Sequence, residues 1–122
     1  TINLAFDGDT RSLRAGGYAY LPAGRNWSVR NEGADKANFH WIRKRYQPVN
    51  GIAAPEVLIT SDSAVTPVPM PDTDGAWATS RFVDPADLRH DMHVNIVTFQ
   101  TGGVIPFAET HVIRMQTQQK KY

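Results

Sequence analysis

Short runs of alternating apolar and polar residues, separated by Gly, Pro, Asp and Asn, fill this chain. Alternation sends successive side chains to opposite faces of an extended backbone, so each run predicts a strand. Strands are expected over 1–6, 18–21, 27–30, 57–60 and 93–99, with 77–83 extended. Asp7-Gly8-Asp9 and Gly16-Gly17 supply turns, because these residues tolerate the backbone angles that a reversal needs. The clearest alternation covers 37–46. It puts Phe39, Trp41, Arg43 and Arg45 on one face and His40, Ile42, Lys44 and Tyr46 on the other. Asp84 followed by Pro85 predicts one short helix, with Asp84 as N-cap and Pro85 at its first position. Ser61–Gly75, rich in Pro, Asp, Ser and Thr, is expected to be a linker or long surface loop. No long amphipathic helix is indicated, and the class is all-β.

Composition narrows the partners. At 122 residues there is room for about one ordinary domain. A formal net charge of +1 lacks the basic excess of a dedicated nucleic-acid binder. The cation run Arg43-Lys44-Arg45 beside Trp41 and Tyr46 is therefore expected to be a solvated or ion-paired face. Apolar stretches are far shorter than a membrane span. With no cysteine, thiol chemistry, disulfides and thiolate metal sites are excluded.

Two spaced motifs carry the candidate chemistry. Gly16, Pro22, Gly24, Trp27 and Asn31 fit the second cupin motif, G-x5-P-x-G-x2-H-x3-N, except that Trp27 replaces the histidine. Gly103, Glu109 and His111 fit the opening of the first cupin motif, G-x5-H-x-H, with Glu109 in the first ligand slot. The order is the reverse of that in one cupin barrel. The expected architecture is therefore a cupin jelly roll, a fragment of a bicupin. Residues 1–60 would be the back of a metal-free first barrel, 61–75 the linker, and 76–112 the front of the second barrel. Residues 113–122 would be a divergent polar tail. Trp27 offers a metal no lone pair, whereas a carboxylate and an imidazole two residues apart on one strand face suit a divalent ion.

The wording of residues 16–24, 39–46, 81–99 and 103–112 resembles the (S)-ureidoglycine aminohydrolases, bicupin hydrolases of allantoin and purine catabolism. The resemblance implies a manganese ion in the second barrel, held here by Glu109 and His111. It also implies release of ammonia from (S)-ureidoglycine to give (S)-ureidoglycolate. Glu109 would be ligand and catalytic contact, and His111 a pure ligand. The family's next histidine is replaced by Met115, a thioether ill suited to a hard ion. Gln116, Gln118 and Gln119 receive no role. The expectation is a truncated chain with weak metal binding and little turnover of its own. It is expected in the cytoplasm and to form homo-oligomers through unpaired cupin edge strands.

Two alternatives stand beside this reading. One is a non-catalytic cupin, a binding or structural module without metal. The other, a metal-dependent dioxygenase, is weakened by Trp27 and Met115. His90 and His93 invite a metal hypothesis, but the expected role of both is structural. His40 is expected to be packed or hydrogen-bonded within its strand.

Overall fold

A computed structural model describes residues 1–108. Eight strands follow one another: β1 (Ile2–Phe6), β2 (Asp9–Leu13), β3 (Gly17–Tyr20), β4 (Trp27–Arg30), β5 (Leu58–Ser61), β6 (Val68–Pro69), β7 (Trp77–Arg81) and β8 (Asn95–Phe99). One 3-10 turn, Asp62–Ala64, is the only helical element among the described residues. The all-β class is as the alternation requires. No helix among the described residues is long and apolar enough to cross a membrane.

The strands form three antiparallel sheets, in the orders β2-β1-β4, β3-β5 and β6-β7-β8. The β1–β2 hairpin closes with Phe6 opposite Asp9, leaving Asp7 and Gly8 as the loop. Both take positive φ, 47° and 84°. That hand of turn matches the twist of the flanking strands. Leu4 sits opposite Arg11 on one side and Val29 on the other, and it is buried. Trp77 and Val83 are buried as well, with Thr79 and Ser80 buried beside them.

The glycine that opens each motif has a steric reason. Gly16 has φ of 79°, and its carbonyl accepts the Asp62 amide at 2.9 Å. A methyl group there would run into the Asp62 carboxylate. At Gly103, a methyl group would collide with the Ala76 carbonyl oxygen. The chain leaving β8 can therefore lie close to the start of β7 only if this position is bare.

The structure corrects several expectations. Residues 37–46 form no strand. Their alternation finds no ladder partner among the described residues, and a strand exists only through its pairing. The segment is tied down by side chains instead. The Lys44 ammonium donates to the Asp91 carboxylate at 2.6 Å, the Gln47 amide donates to the same oxygen at 2.8 Å, and the Tyr46 hydroxyl donates to the Arg89 carbonyl at 3.0 Å. Phe39, Trp41 and Ile42 are left largely exposed, at 53%, 61% and 60%.

The helix expected at Asp84 is instead a pair of successive turns. The Asp84 carboxylate accepts the Ala86 amide at 2.8 Å, and the Asp87 carboxylate accepts the Arg89 amide at 3.1 Å. The backbone bonds there join residues three apart, Asp87 to Asp84 and His90 to Asp87. Short acidic side chains that bond the backbone two residues on favour turns over helix. The strand expected from His93 begins at Asn95. Within 61–75, Val68–Pro69 pairs with Thr79 and Ala78 as an edge strand, a position that suits a proline without an amide hydrogen.

Candidate functional site

Trp27 opens β4 opposite Phe6 and is 41% exposed. Its ring meets the Trp41 ring edge to face, with centroids 5.5 Å apart and planes at 83°. The motif position thus carries an aromatic pair that joins β4 to the 37–46 segment. Pro22 and Gly24 shape the turn before it, where the Arg25 amide donates to the Pro22 carbonyl at 3.4 Å.

Glu109 and His111 lie outside the described residues, as do Met115 and the glutamines after it. The approach to them is described as far as residue 108. After β8 the Gly103 amide donates to the Gln100 carbonyl at 2.8 Å, and the Phe107 ring comes to rest 6.4 Å from Trp77. Trp77 also stacks on Phe99 at 6.2 Å. The residues that lead into the E-x-H pair are therefore seated on the buried tryptophan of β7. Among the described residues no group of three or more His, Cys, Asp or Glu side chains could hold a metal ion.

The remaining histidines do not converge. His40 is exposed and outside any strand, contrary to expectation. Two residues of polypeptide separate the exposed His93 from His90, whose side chain is only 7% exposed. His90 presents a ring edge to Tyr20, with centroids 4.7 Å apart, and its Nε2 lies 3.9 Å from the Asp87 carboxylate. Its buried Nδ1 has no hydrogen-bond partner among the described residues. Burial lowers its pKa from the ordinary 6.5. Asp87 goes the other way from its neighbour. The Arg89 side chain and amide hydrogen-bond it, bringing its pKa down to about 2.

An open cleft of about 250 Å³ lies over this loop, lined by Glu56, Leu58, Phe82, Asp87, Arg89 and His90. A wider groove of about 370 Å³ runs beside Asp62, Ser80, Ile96 and Thr98. Sequence reading missed Asp91, which gathers Lys44 and Gln47 from across the chain with only 14% of its side chain exposed. The Arg43-Lys44-Arg45 run is divided accordingly: Lys44 is ion-paired, and both arginines are exposed.

A curated protein of Escherichia coli (strain K12), (S)-ureidoglycine aminohydrolase, is 29% identical over 111 residues, which is 91% of this chain. The likeness is to the (S)-ureidoglycine aminohydrolases. A probable (S)-ureidoglycine aminohydrolase of Oryza sativa subsp. japonica is 28% identical over 85% of the chain. The crystal structure described as that of a glyoxylate-induced protein from Pseudomonas aeruginosa superposes over 91% of the chain, with a TM-score of 0.84 and 52% identity. The cupin class expected from the two motifs therefore stands. No protein-family model matches. The chain spans 41% of the length of the E. coli aminohydrolase, 32% of the rice protein and 41% of the Pseudomonas protein.

Proposed function

We propose that this protein serves the manganese-dependent hydrolysis of (S)-ureidoglycine to (S)-ureidoglycolate and ammonia. The observation that supports this most is the likeness to the E. coli (S)-ureidoglycine aminohydrolase over 91% of the chain. Glu109 and His111 would hold the metal, since a hard carboxylate and a neutral imidazole are suitable donors for manganese. When bound, such an ion supplies Lewis acidity and a template for the substrate's polar groups. Glu109 would also contact the substrate. His111 would be oriented by a hydrogen bond from its other ring nitrogen.

Among the described residues no group of three or more His, Cys, Asp or Glu side chains could hold a metal ion, and Met115 occupies the next slot of the motif. A catalytic metal ordinarily has about three protein ligands and an open position. The chain by itself is expected to bind manganese weakly and to turn over little substrate. Residues 1–60 would act as metal-free scaffold, with 76–112 as the front of the metal-binding barrel and 61–75 between them. The setting would be cytoplasmic and the ligand a small molecule. One observation favours a second reading, a non-catalytic binding or structural module. The motif position of the first unit is filled by Trp27 packed on Trp41.

Calorimetric titration with manganese, paired with an ammonia-release assay on (S)-ureidoglycine, tests the proposal. Both are run on this chain and on a chain extended past Val112 with an aminohydrolase C-terminal barrel. Tight binding and ammonia release by the extended chain, abolished by Glu109→Gln, are expected. An extended, folded chain without either would leave the non-catalytic reading.

A further inference from the structure

The loop 84–91 meets strand β3 through His90 and the segment 44–47 through the two residues that flank His90. His90 packs edge-on against Tyr20 of β3, while its neighbours Arg89 and Asp91 receive Tyr46, Lys44 and Gln47. Nothing else described in the structure ties residues 44–47 to the rest of the molecule by side-chain hydrogen bonds. We propose that His90 is a proton-operated latch: neutral, it closes the 84–91 loop over β3 and holds residues 44–47 in place; protonated, it releases them.

The geometry gives the reason. A neutral ring can lie against Tyr20 with one nitrogen dry at modest cost. An imidazolium must place a second charged N–H where Nδ1 now has no acceptor among the described residues. An unpaired charged donor is among the costliest groups to bury. The groups around the ring do little to offset this. Asp87 is 3.9 Å away and already engaged by Arg89, with hydrogen bonds of 2.7 to 3.2 Å. Arg89 and His93 oppose a further positive charge. Asp91 favours it but is committed to Lys44 and the Gln47 amide. On β3, burial first and then Asp91 raise the pKa of Tyr20, so its hydroxyl stays neutral while the histidine titrates. Tyr46 spends its hydroxyl hydrogen on the Arg89 carbonyl, and Glu56 and Asp84 line the same cleft as His90.

Folded His90 binds its proton less readily than an unfolded histidine at 6.5. The closed form is therefore favoured at neutral pH and loses ground as pH falls below about 6.5. The loss amounts to about tenfold in the closing equilibrium for each unit by which the folded pKa lies below the free one.

Amide hydrogen exchange between pH 8 and pH 5, corrected for intrinsic rate, tests the latch on the full chain, with the His90 ring titration followed by NMR. Gln47 protection is expected to fall on acidification in step with protonation of His90, at a midpoint below 6.5. His90→Phe keeps a ring against Tyr20 and removes the proton, so the step is expected to vanish. His93→Gln is expected to retain it. A wild-type His90 that titrates at or above 6.5, or Gln47 protection that does not follow it, would overturn the latch. That wild-type measurement decides even if His90→Phe fails to fold. An unchanged step in a folded His90→Phe chain would overturn it as well.

Discussion

Gly16 shows how much one residue can carry in this chain. Its positive φ already disfavours a side chain, and the Asp62 carboxylate occupies the place where a methyl group would go. Gly24 shares the positive φ, but a methyl group there meets nothing within 4 Å. Gly24→Ala is therefore expected to cost about 1 kcal/mol, from backbone strain alone. Gly16→Ala is expected to cost about 2 kcal/mol or more, because the Asp62 turn must also move. Urea unfolding of the two variants checks the order. Asp87 provides a second residue-scale test. Its pKa is lowered from 3.8 to about 2 by Arg89. Its contribution is present above about pH 4 and disappears as pH falls toward 2. Asp87→Asn is expected to flatten the acid limb of a stability–pH curve over that window only.

At the scale of elements, the 37–46 segment separates pattern from structure. The alternation of Phe39, Trp41 and Arg43 with His40, Ile42 and Lys44 is that of a strand, yet these residues have no ladder among the described residues. Their anchor is a carboxylate 47 positions from Lys44. Nothing local around Asp91 announces it, because its partners converge only through tertiary folding. Asp91→Ala strips an acceptor from the Gln47 amide and the ion-pair partner from Lys44. It is expected to destabilise by about 1–3 kcal/mol, read as a lowered Tm. By contrast, the hairpin at Asp7–Gly8 was legible, since a two-residue turn is chosen by its own residues. The turns at Asp84 and Asp87 fall between these cases. The cap residue was recognisable, but the repeated acid two residues before an amide favoured turns over helix.

At the scale of the whole molecule, large apolar side chains lie open among the described residues, with Phe39, Trp41, Leu88, Val104 and Phe107 each more than half exposed. Strand β8 is exposed along its whole length and is an edge among the described strands. Asn95–Phe99 carries no charge to repel another strand, and Ile96, Val97 and Phe99 are more than a third exposed. Such an edge templates pairing with further polypeptide. Association through β8 is expected to appear in sedimentation velocity as species heavier than the monomer. Val97→Lys is expected to reduce them while shifting stability by no more than about 0.5 kcal/mol, since the side chain is a surface one. Unchanged association would direct attention to the exposed Phe39, Trp41 and Ile42 surface instead.

The sequence by itself determined the all-β class, the Asp7–Gly8 turn and the spacing of both glycine motifs. It also determined the absence of a metal-ligating side chain at Trp27. Each depends on residues close together along the chain, or on what one side chain is chemically able to do. Only the tertiary structure decided that 37–46 would lie unpaired, that Asp91 would collect Lys44 and Gln47, and that His90 would be buried against Tyr20. Those outcomes are set by which distant segments compete for the same carboxylate or the same ring face. The alternation of side chains along a strand names the faces it could present, but not the segment that will meet them.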